Sequence, residues 1–240
     1  MKLKIILSYD GSNFLGSSSQ PHKNSVQDEL QNALSHLGIF SKVLLASRTD
    51  KGVHAFCNVA CVECGDYFDD LLYLKKQINK FANPSVNVKN IILANDDFQV
   101  RFDVKFREYR YIFNHSRFNP FFAKYCYFYK EFDINLANEI LQIFVGNHDF
   151  KFFQKNGGNN KSTIRNIYFA RAYKYKNLSI FHFRANGFLR AQIRLIVMSV
   201  LKVLENKMTK NQVYEQLNLK KIHNRFLAPP NGLYLSKIIY

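Results

Sequence analysis

The residues best suited to chemistry lie in one short segment, Ala46-Ser-Arg-Thr-Asp-Lys-Gly-Val-His-Ala55. The pattern predicts a strand that runs into a polar turn and a second strand that leaves it. The turn carries a single acid, Asp50, between Arg48 and Lys51. A carboxylate flanked by cations is expected to stay ionised, which suits a nucleophile or an electrostatic stabiliser rather than a general acid. Taken alone, the same residues are also typical of an ordinary surface turn.

Three cysteines follow this segment, in the order Cys57-x-x-x-Cys61-x-x-Cys64. On a predicted strand, Cys57 and Cys61 share one face and Cys64 lies on the other. No pair of Cys-x-x-Cys motifs and no nearby histidine completes a set of four zinc ligands. We therefore expect buried apolar cysteines and no metal. For His54 and His148 we expect structural hydrogen bonds rather than catalysis.

The composition indicates a polyanionic partner. Lys and Arg number 34 against 18 Asp and Glu, so the formal net charge is +16, and 15% of the residues are aromatic. Bases stack on aromatic rings, so this combination favours RNA or single-stranded nucleic acid. An A/T-rich genome would also supply much of the bias, because Lys, Asn, Ile, Phe and Tyr have A/T-rich codons.

Several classes of protein are excluded. The chain has 240 residues, 47% of them hydrophobic, which allows a sizeable core and excludes global disorder. No apolar run approaches the roughly 18 residues of a transmembrane helix, and the apolar run near the start is too short for a signal peptide. Four cysteines do not make a disulfide framework, so we expect a reducing, cytoplasmic location.

Strands and helices alternate in the first half of the chain. Ser25 is a predicted N-cap, and the apolar helical stripe after it ends at Gly38. Lysines 75, 76, 80 and 89 form either a phosphate-binding face or a solvated one. Strands are predicted over 2–9, 43–46, 54–62, 86–94 and 100–113, and a second helix over 70–82.

The second half begins near residue 118 and repeats this mixture. The aromatic segment Tyr125–Phe132 alternates like a half-buried strand, and we expect core there rather than a platform for stacking bases. A loop is predicted over 156–161. Helices are predicted over 134–145, 189–204 and 210–216, a hairpin over 164–175 and 178–185, and a last strand over 232–240. The pattern predicts an α+β fold in two halves, 1–103 and 104–240.

The segment Ser47 to Ala55 resembles the catalytic motif of the TruA family of tRNA pseudouridine synthases, which usually reads Gly-Arg-Thr-Asp-Ala/Lys-Gly-Val-His-Ala. The resemblance continues in order along nearly the whole chain, from about residue 5 to residue 240. It implies the pseudouridine synthase fold, with two α+β halves whose mixed or antiparallel sheets flank a central basic cleft. The other matching segments are Tyr9-Asp10-Gly11 to Gly16, Ser25-Val26-Gln27, Phe98-x-x-Arg101-Phe102, Arg107-x-Tyr109-Arg110-Tyr111, Gly146-x-His148-Asp149-Phe150, Thr163-x-Arg165-x-Ile167, Ala185-Asn186-Gly187-Phe188-Leu189, Ile193-Arg194 and Gly232-Leu233-Tyr234-Leu235.

The resemblance also implies a role for each matching residue. Asp50 corresponds to the catalytic aspartate, and Arg48 to the arginine that engages the substrate and helps to place the flipped base. Tyr109 corresponds to the tyrosine that packs on the target uracil, and Arg194 to the arginine that pairs with the catalytic carboxylate. Leu233 lies in the closing segment that walls the pocket.

The implied activity is isomerisation of uridine to pseudouridine at tRNA positions 38, 39 and 40, in the anticodon stem-loop. No cofactor is needed, because nothing is oxidised and no group is donated. The implied protein is a cytoplasmic homodimer that binds tRNA and no membrane. A non-catalytic RNA-binding protein on the same fold is the alternative, although such a module has no use for an acid like Asp50.

The chain also departs from the usual family pattern. Ser17 and Ser18 stand where an aromatic residue and Gln are usual, and Ser47 stands where Gly is common. Arg190-Ala191 and Met198 are further departures near Arg194. None of them replaces Asp50, Tyr109 or Arg194. They leave open a pseudouridine synthase of broader substrate range.

Overall fold

The computed structural model describes residues 1–157 and 162–240. The described chain forms two compact units, one of Met1–Lys105 with Tyr234–Tyr240 and one of Phe106–Leu233. The halves 1–103 and 104–240 were assigned by the motifs that they contain, the Asp motif in the first and the Tyr and Arg motifs in the second. That assignment stays a prediction. Residues 158–161 of the predicted loop lie outside the described residues.

The first unit is a mixed sheet with two helices. β1 pairs antiparallel with β3 and with β4, and the short β2 pairs antiparallel with β3. β10 adds to β3 in parallel, with Tyr234 opposite His54. The elements are β1 (Lys2–Tyr9), α1 (Val26–Ser35), β2 (Leu44–Leu45), β3 (His54–Glu63), α2 (Leu71–Phe81), β4 (Val86–Ala94) and β10 (Leu233–Ile239).

Local sequence explains these elements well. Leu3, Ile5 and Leu7 alternate along β1 and are fully buried, as expected for a strand with one face in the core. The Ser25 side chain accepts the backbone N–H of Asp28 and caps α1, as predicted. Asp70 caps α2 in the same way.

The second unit combines further strands, most of them antiparallel, with three α-helices among its described residues. β9 pairs antiparallel with β5 and with β8, β8 pairs antiparallel with β7, and β6 pairs in parallel with β5. The elements are β5 (Phe106–Asn114), β6 (Tyr127–Phe128), α3 (Ile134–Gln142), β7 (Gly146–Asp149), β8 (Ile164–Tyr175), β9 (Leu178–Ala185), α4 (Gln192–Leu204) and α5 (Lys210–Leu217).

Aromatic rings fill much of the core of the second unit. The fully buried ring of Phe113 lies 5.2 Å from the ring of Phe132 and 4.8 Å from that of Phe181, measured between centroids. Tyr127 and Tyr129 pack on the same ring. Within the segment 125–132 only Cys126 is buried, Tyr125 is exposed, and the rings of Tyr127, Phe128, Tyr129 and Phe132 are half-buried, so the prediction of core holds only in part. Only Tyr127 and Phe128 are in a strand.

The predicted α+β class is confirmed, but several boundaries differ from the prediction, and α3 ends at Gln142 rather than at residue 145. The strand predicted from residue 100 begins at Phe106, because Gln99 N–H donates to the Asp103 carboxylate and Asp103 N–H donates back to Gln99 O, which closes a turn. The helix predicted from Leu189 begins at Gln192, because Ala191 has a φ of +59° in the left-handed region. No helix among residues 1–157 and 162–240 combines the length and hydropathy needed to span a membrane.

Candidate active site

The loop that carries Asp50 leaves β2 and turns back into β3. Ala46 N–H donates to Val59 O at 2.8 Å, which ties the start of the loop to β3. Val53 N–H donates to Asp50 O at 3.1 Å, and Gly52 between them has a φ of +77°. A hydrogen bond over three residues with a positive φ at the third position is typical of a type II turn. Asp50 is thus the first residue of a closed turn.

Two glycines let the backbone approach this loop closely. A Cβ on Gly11 would lie 2.0 Å from Val53 O, so no larger residue fits at this contact. Gly16 has a φ of +123°, and a Cβ there would lie 3.1 Å from Thr49 O. The segment after β1 therefore forms one wall of the loop.

A buried polar network holds the residue that precedes Asp50. Thr49 N–H donates to Ser17 Oγ at 2.7 Å, and Ser17 N–H donates to Thr49 O at 3.1 Å. The Tyr9 hydroxyl lies 2.9 Å from Thr49 Oγ1 and accepts from Asn58 Nδ2 at 3.2 Å. Asn58 Nδ2 also donates to Ser47 O at 3.0 Å. Residues from three segments thus fix the backbone at Asp50.

The unusual serine at position 17 has a clear role in this network. Its side chain is fully buried. The serine lies directly after Gly16 and makes two hydrogen bonds to Thr49, one through Oγ and one through its backbone N–H. Burial raises the pKa of Tyr9, so its phenol stays protonated and able to donate to Thr49 Oγ1. Ser17, which stands where the family usually has an aromatic residue, therefore makes a direct polar contact to the loop that carries Asp50.

We predict that Tyr9→Phe lowers the free energy of unfolding by about 1–3 kcal/mol, because it leaves the buried Thr49 Oγ1 without this partner and removes one of the two hydrogen bonds that Asn58 Nδ2 donates. Phe keeps the packing of the ring, so the change isolates the hydroxyl. Urea unfolding followed by circular dichroism measures the effect. Tyr73→Phe on the exposed face of α2 is the matched control and should change the unfolding free energy by less than about 0.5 kcal/mol. Equal effects of the two changes would contradict the prediction.

His54 and His148 make structural hydrogen bonds. Gly11 N–H donates to His54 Nδ1 at 3.1 Å, and the His54 ring stacks on Tyr234 at 4.7 Å. His148 Nε2 lies 3.0 Å from Val145 O. His54 therefore supports the segment after β1, and His148 supports the turn into β7.

Tyr109 lies in the second unit, on β5. It pairs with Phe183 of β9, and its ring meets the ring of Phe188 edge-on at 5.3 Å. Only 6% of the residue is exposed. Arg107, two residues earlier, donates to Asn186 O at 3.1 Å. The Ala185-Asn-Gly-Phe188 segment therefore packs directly against β5, the strand that carries Tyr109.

Arg194 lies in the first turn of α4. Its Nε–H donates to Ala228 O at 2.7 Å, and Ala228 N–H donates to Arg194 O at 3.0 Å. The neighbouring Tyr111 donates to Pro229 O at 2.8 Å. Burial raises the pKa of Tyr111, and the positive charge of Arg194 lowers it in part. The 228–229 segment therefore fixes the orientation of the guanidinium.

Leu233 is buried where the chain enters β10. Gly232 before it packs so closely on Tyr111 that a Cβ would lie 2.8 Å from the ring. Of the five site residues, Asp50 and Arg48 thus lie in the first unit, and Tyr109, Arg194 and Leu233 in the second. Asp50 is half-buried and Arg48 is exposed.

Sequence reasoning missed the supporting roles of Tyr9 and Asn58. Asn58 is a fully buried amide within the apolar strand β3, and such a residue needs hydrogen-bond partners. That signal was available in the sequence, since a central Asn is unfavourable in a strand.

The cysteines are not arranged as a metal site. Cys61 is buried, whereas Cys57 and Cys64 are half-buried, so the expectation of full burial is wrong for these two. Burial raises the pKa of Cys61 and of Cys64, which favours the thiol form. Across residues 1–157 and 162–240, no group of three or more His, Cys, Asp or Glu side chains is placed to hold a metal ion.

Comparison with known proteins shows the family of this chain. A family model described as tRNA pseudouridine synthase matches residues 5–103 and 140–240. A Campylobacter jejuni (strain RM1221) protein named tRNA pseudouridine synthase A is 65% identical over 100% of both chains. Proteins of the same name from Helicobacter hepaticus and Helicobacter pylori are 37% and 34% identical, each over 99% of this chain and 98% of its own length. With matches along its whole length, the chain belongs to the tRNA pseudouridine synthase family.

Proposed function

We propose that this protein isomerises uridine to pseudouridine in the anticodon stem-loop of tRNAs, at positions 38, 39 and 40, with Asp50 as the nucleophile. The observation that carries the proposal is the Asp50 turn, which a buried polar network holds in place within a chain of this family. The specific positions rest on the sequence resemblance.

The reaction is an internal rearrangement. The N1–C1′ bond breaks, the uracil turns, a C5–C1′ bond forms, and the proton on C5 is replaced by one on N1. The product has the same composition as the substrate, because the proton lost from C5 is matched by the one gained at N1, and the oxidation state is unchanged. One ionised carboxylate can attack the nucleoside or stabilise cationic character at the sugar.

The target base must first leave its stack, which costs a few kcal/mol. Stacking on an aromatic side chain returns about 1–3 kcal/mol per base, which is the role proposed for Tyr109. Arg48 is proposed to engage the substrate and help to place the flipped base, which its exposed position allows. Leu233 is proposed to wall the pocket.

Arg194 is proposed to pair with the Asp50 carboxylate. A guanidinium suits this role because its planar fork matches the two carboxylate oxygens and it never loses its charge. The bond from Arg194 Nε to Ala228 O supports the proposal, because it orients the guanidinium before substrate arrives.

The partners follow from the same proposal. A net charge of +16 suits a polyanion with many phosphates, and tRNA is the partner proposed. We also propose a cytoplasmic homodimer that works without a cofactor.

We predict that the protein releases tritium from C5-labelled uridine in anticodon stem-loop RNA, with no added cofactor. An RNA with uridine at positions 38, 39 and 40 should be converted. A matched RNA with cytidine at all three positions should release only background tritium.

Release from the cytidine RNA would contradict the proposed positions and favour an enzyme of broader range. Tight binding of both RNAs with no release from either would contradict the catalytic function and favour an RNA-binding protein. Mapping of the modified residues in the product separates positions 38, 39 and 40 from one another.

A further inference from the structure

A cavity of about 510 Å³ lies in the first unit beside the loop that carries Asp50. Its size is within the range of sites that hold small ligands. Three cationic side chains line it together with Leu44, two from the segment around β2 and one from the turn before β5. The cationic residues are Lys42, Arg48 and Arg101.

One acid lies among these cations, and it is already engaged. Asp28 lines the cavity, but its Oδ2 accepts the Ser25 hydroxyl at 2.7 Å, and Ser25 is the N-cap of α1. Three positive charges against one negative charge leave a net charge of +2 around the cavity. Such a lining attracts anions.

Two glutamines of α1 hold the backbone on both sides of Lys42. Gln31 Nε2 donates to Ser41 O at 3.1 Å, and Gln31 Oε1 accepts Val43 N–H at 3.0 Å. Gln27 Nε2 donates to Val43 O at 2.8 Å. The lysine is thus mounted on a backbone position that the helix fixes.

Arg101 comes from a distant part of the sequence and is anchored to β2. Its Nε–H donates to Leu45 O at 3.1 Å. Partial burial and the neighbouring charge of Arg48 lower the pKa of Arg101. The charges of Arg48 and Arg101 repel each other, and a bound anion would relieve that repulsion.

Part of the free volume of the cavity is explained by the small side chain of Ser18. Ser18 lines the cavity at the position where Gln is usual in the family. Its hydroxyl is buried and has no hydrogen-bond partner among the described residues. A small hydroxyl therefore stands where a longer amide would occupy part of the space.

We propose that this cavity binds a phosphodiester of the RNA substrate, within a few nucleotides of the target uridine. Arg48 is only two residues from Asp50, so a phosphate held here lies next to the reacting nucleotide. The proposal deepens the proposed function and rests on it for the identity of the RNA. Lys42 and Arg101 are its new binding residues.

The test is the salt dependence of tRNA binding, measured with Asp50→Asn as the background so that turnover does not interfere. Each cation that neutralises a phosphate contributes about 0.7–0.9 to the slope of log affinity against log salt. Lys42→Gln should lower the slope by about that amount and weaken binding about tenfold near 100 mM salt. Lys42→Arg keeps the charge and should keep the slope. Arg101→Gln and Arg101→Lys form a second matched pair.

In the enzyme with Asp50 intact, Lys42→Gln should raise KM and leave kcat nearly unchanged, because the contact is made equally in the ground and transition states. An unchanged slope in both Gln variants, with normal conversion by the wild-type protein, would overturn this proposal alone. A lowered slope without any conversion by the wild-type protein would support the cavity site and overturn the catalytic function. Inorganic phosphate is the second probe: if Lys42→Gln abolishes its binding but leaves the tRNA slope intact, the site takes free phosphate and not RNA.

Discussion

Asp50→Asn is expected to abolish pseudouridine formation, with a loss in kcat of at least about 10³-fold, and to leave tRNA affinity within about threefold of the wild-type value. Losses of this size are typical when a catalytic nucleophile is removed. Asn has nearly the shape of Asp but carries no charge, so it can neither attack the nucleoside nor stabilise a cationic sugar. Tritium release and tRNA binding, measured on the same preparation, give the two quantities.

The loop should survive this change. The contacts that position it use the backbone of Asp50 and the side chains of Tyr9, Ser17 and Asn58, none of which is altered. Asp50→Ala is the second variant, because Asn can deamidate slowly to Asp and restore a trace of activity. Asp97→Asn is the matched control, since it removes an exposed carboxylate from the same unit and should leave the rate unchanged. Conversion by Asp50→Ala at a tenth of the wild-type rate or more would disprove the assignment of the nucleophile.

Much of the fold was predictable because its signals are local. The strand bounds predicted at 2–9, 86–94, 164–175 and 178–185 agree with β1, β4, β8 and β9. In β1 every second side chain is buried, so the period of two was visible in the sequence. The caps at Ser25 and Asp70 were equally local, since each side chain bonds an N–H two or three residues away.

The errors arose where particular hydrogen bonds or backbone conformations, near or far in the chain, override the patterns of strands and helices. The aromatic and β-branched residues at 100–105 suit a strand, yet the exchange between Gln99 and Asp103 closes a turn there. The parallel pairing of Tyr234 with His54 joins residues 180 positions apart, and no local pattern specifies it. Ala191 takes a left-handed conformation that its own side chain does not favour, so the start of α4 is set by its surroundings.

In the candidate site, too, some features could be predicted from local sequence and others depend on the fold. The motif around Asp50 identified the acid and its flanking cations, because their identities are written in consecutive residues. The partners of Thr49 come instead from β1, β3 and the segment after β1, and only the fold brings them together. The grouping of Lys42 with Arg101 is likewise invisible in the sequence, since 59 positions separate them and the strands of the first unit bring them to one cavity.

The departures from the family pattern acquire a physical meaning in this setting. Ser17 Oγ accepts the Thr49 N–H and the Ser17 backbone N–H donates to Thr49 O, so Ser17 helps to hold the loop that carries Asp50. Ser18, one residue later, lines the cationic cavity instead. The two serines therefore act on different features, the first on the position of the Asp50 loop and the second on the space in the cavity.

Arg194→Ala is expected to lower kcat by about 10²- to 10⁴-fold. Removing one partner of a partly buried ion pair typically costs about 3–5 kcal/mol, and each 1.36 kcal/mol in a barrier is tenfold in rate. The proposed partner is the Asp50 carboxylate, which would lose both its orientation and its counter-charge. Arg194→Lys should be nearly as damaging, because lysine lacks the Nε–H that bonds Ala228 O and the fork that matches a carboxylate. Single-turnover kinetics with anticodon stem-loop RNA measures the loss.

Lys202→Gln is the matched control, since it removes a cation from the last turn of the same helix. It should leave kcat unchanged. A double-mutant cycle in the free energy of unfolding then separates pairing from a merely structural role: Asp50→Asn and Arg194→Ala should be coupled by at least about 0.5 kcal/mol, whereas independent residues would add. The pairing is refuted by a wild-type rate in Arg194→Ala. Full additivity of the two changes would also refute it, because a guanidinium that only supports α4 through Ala228 cannot sense whether residue 50 carries a charge.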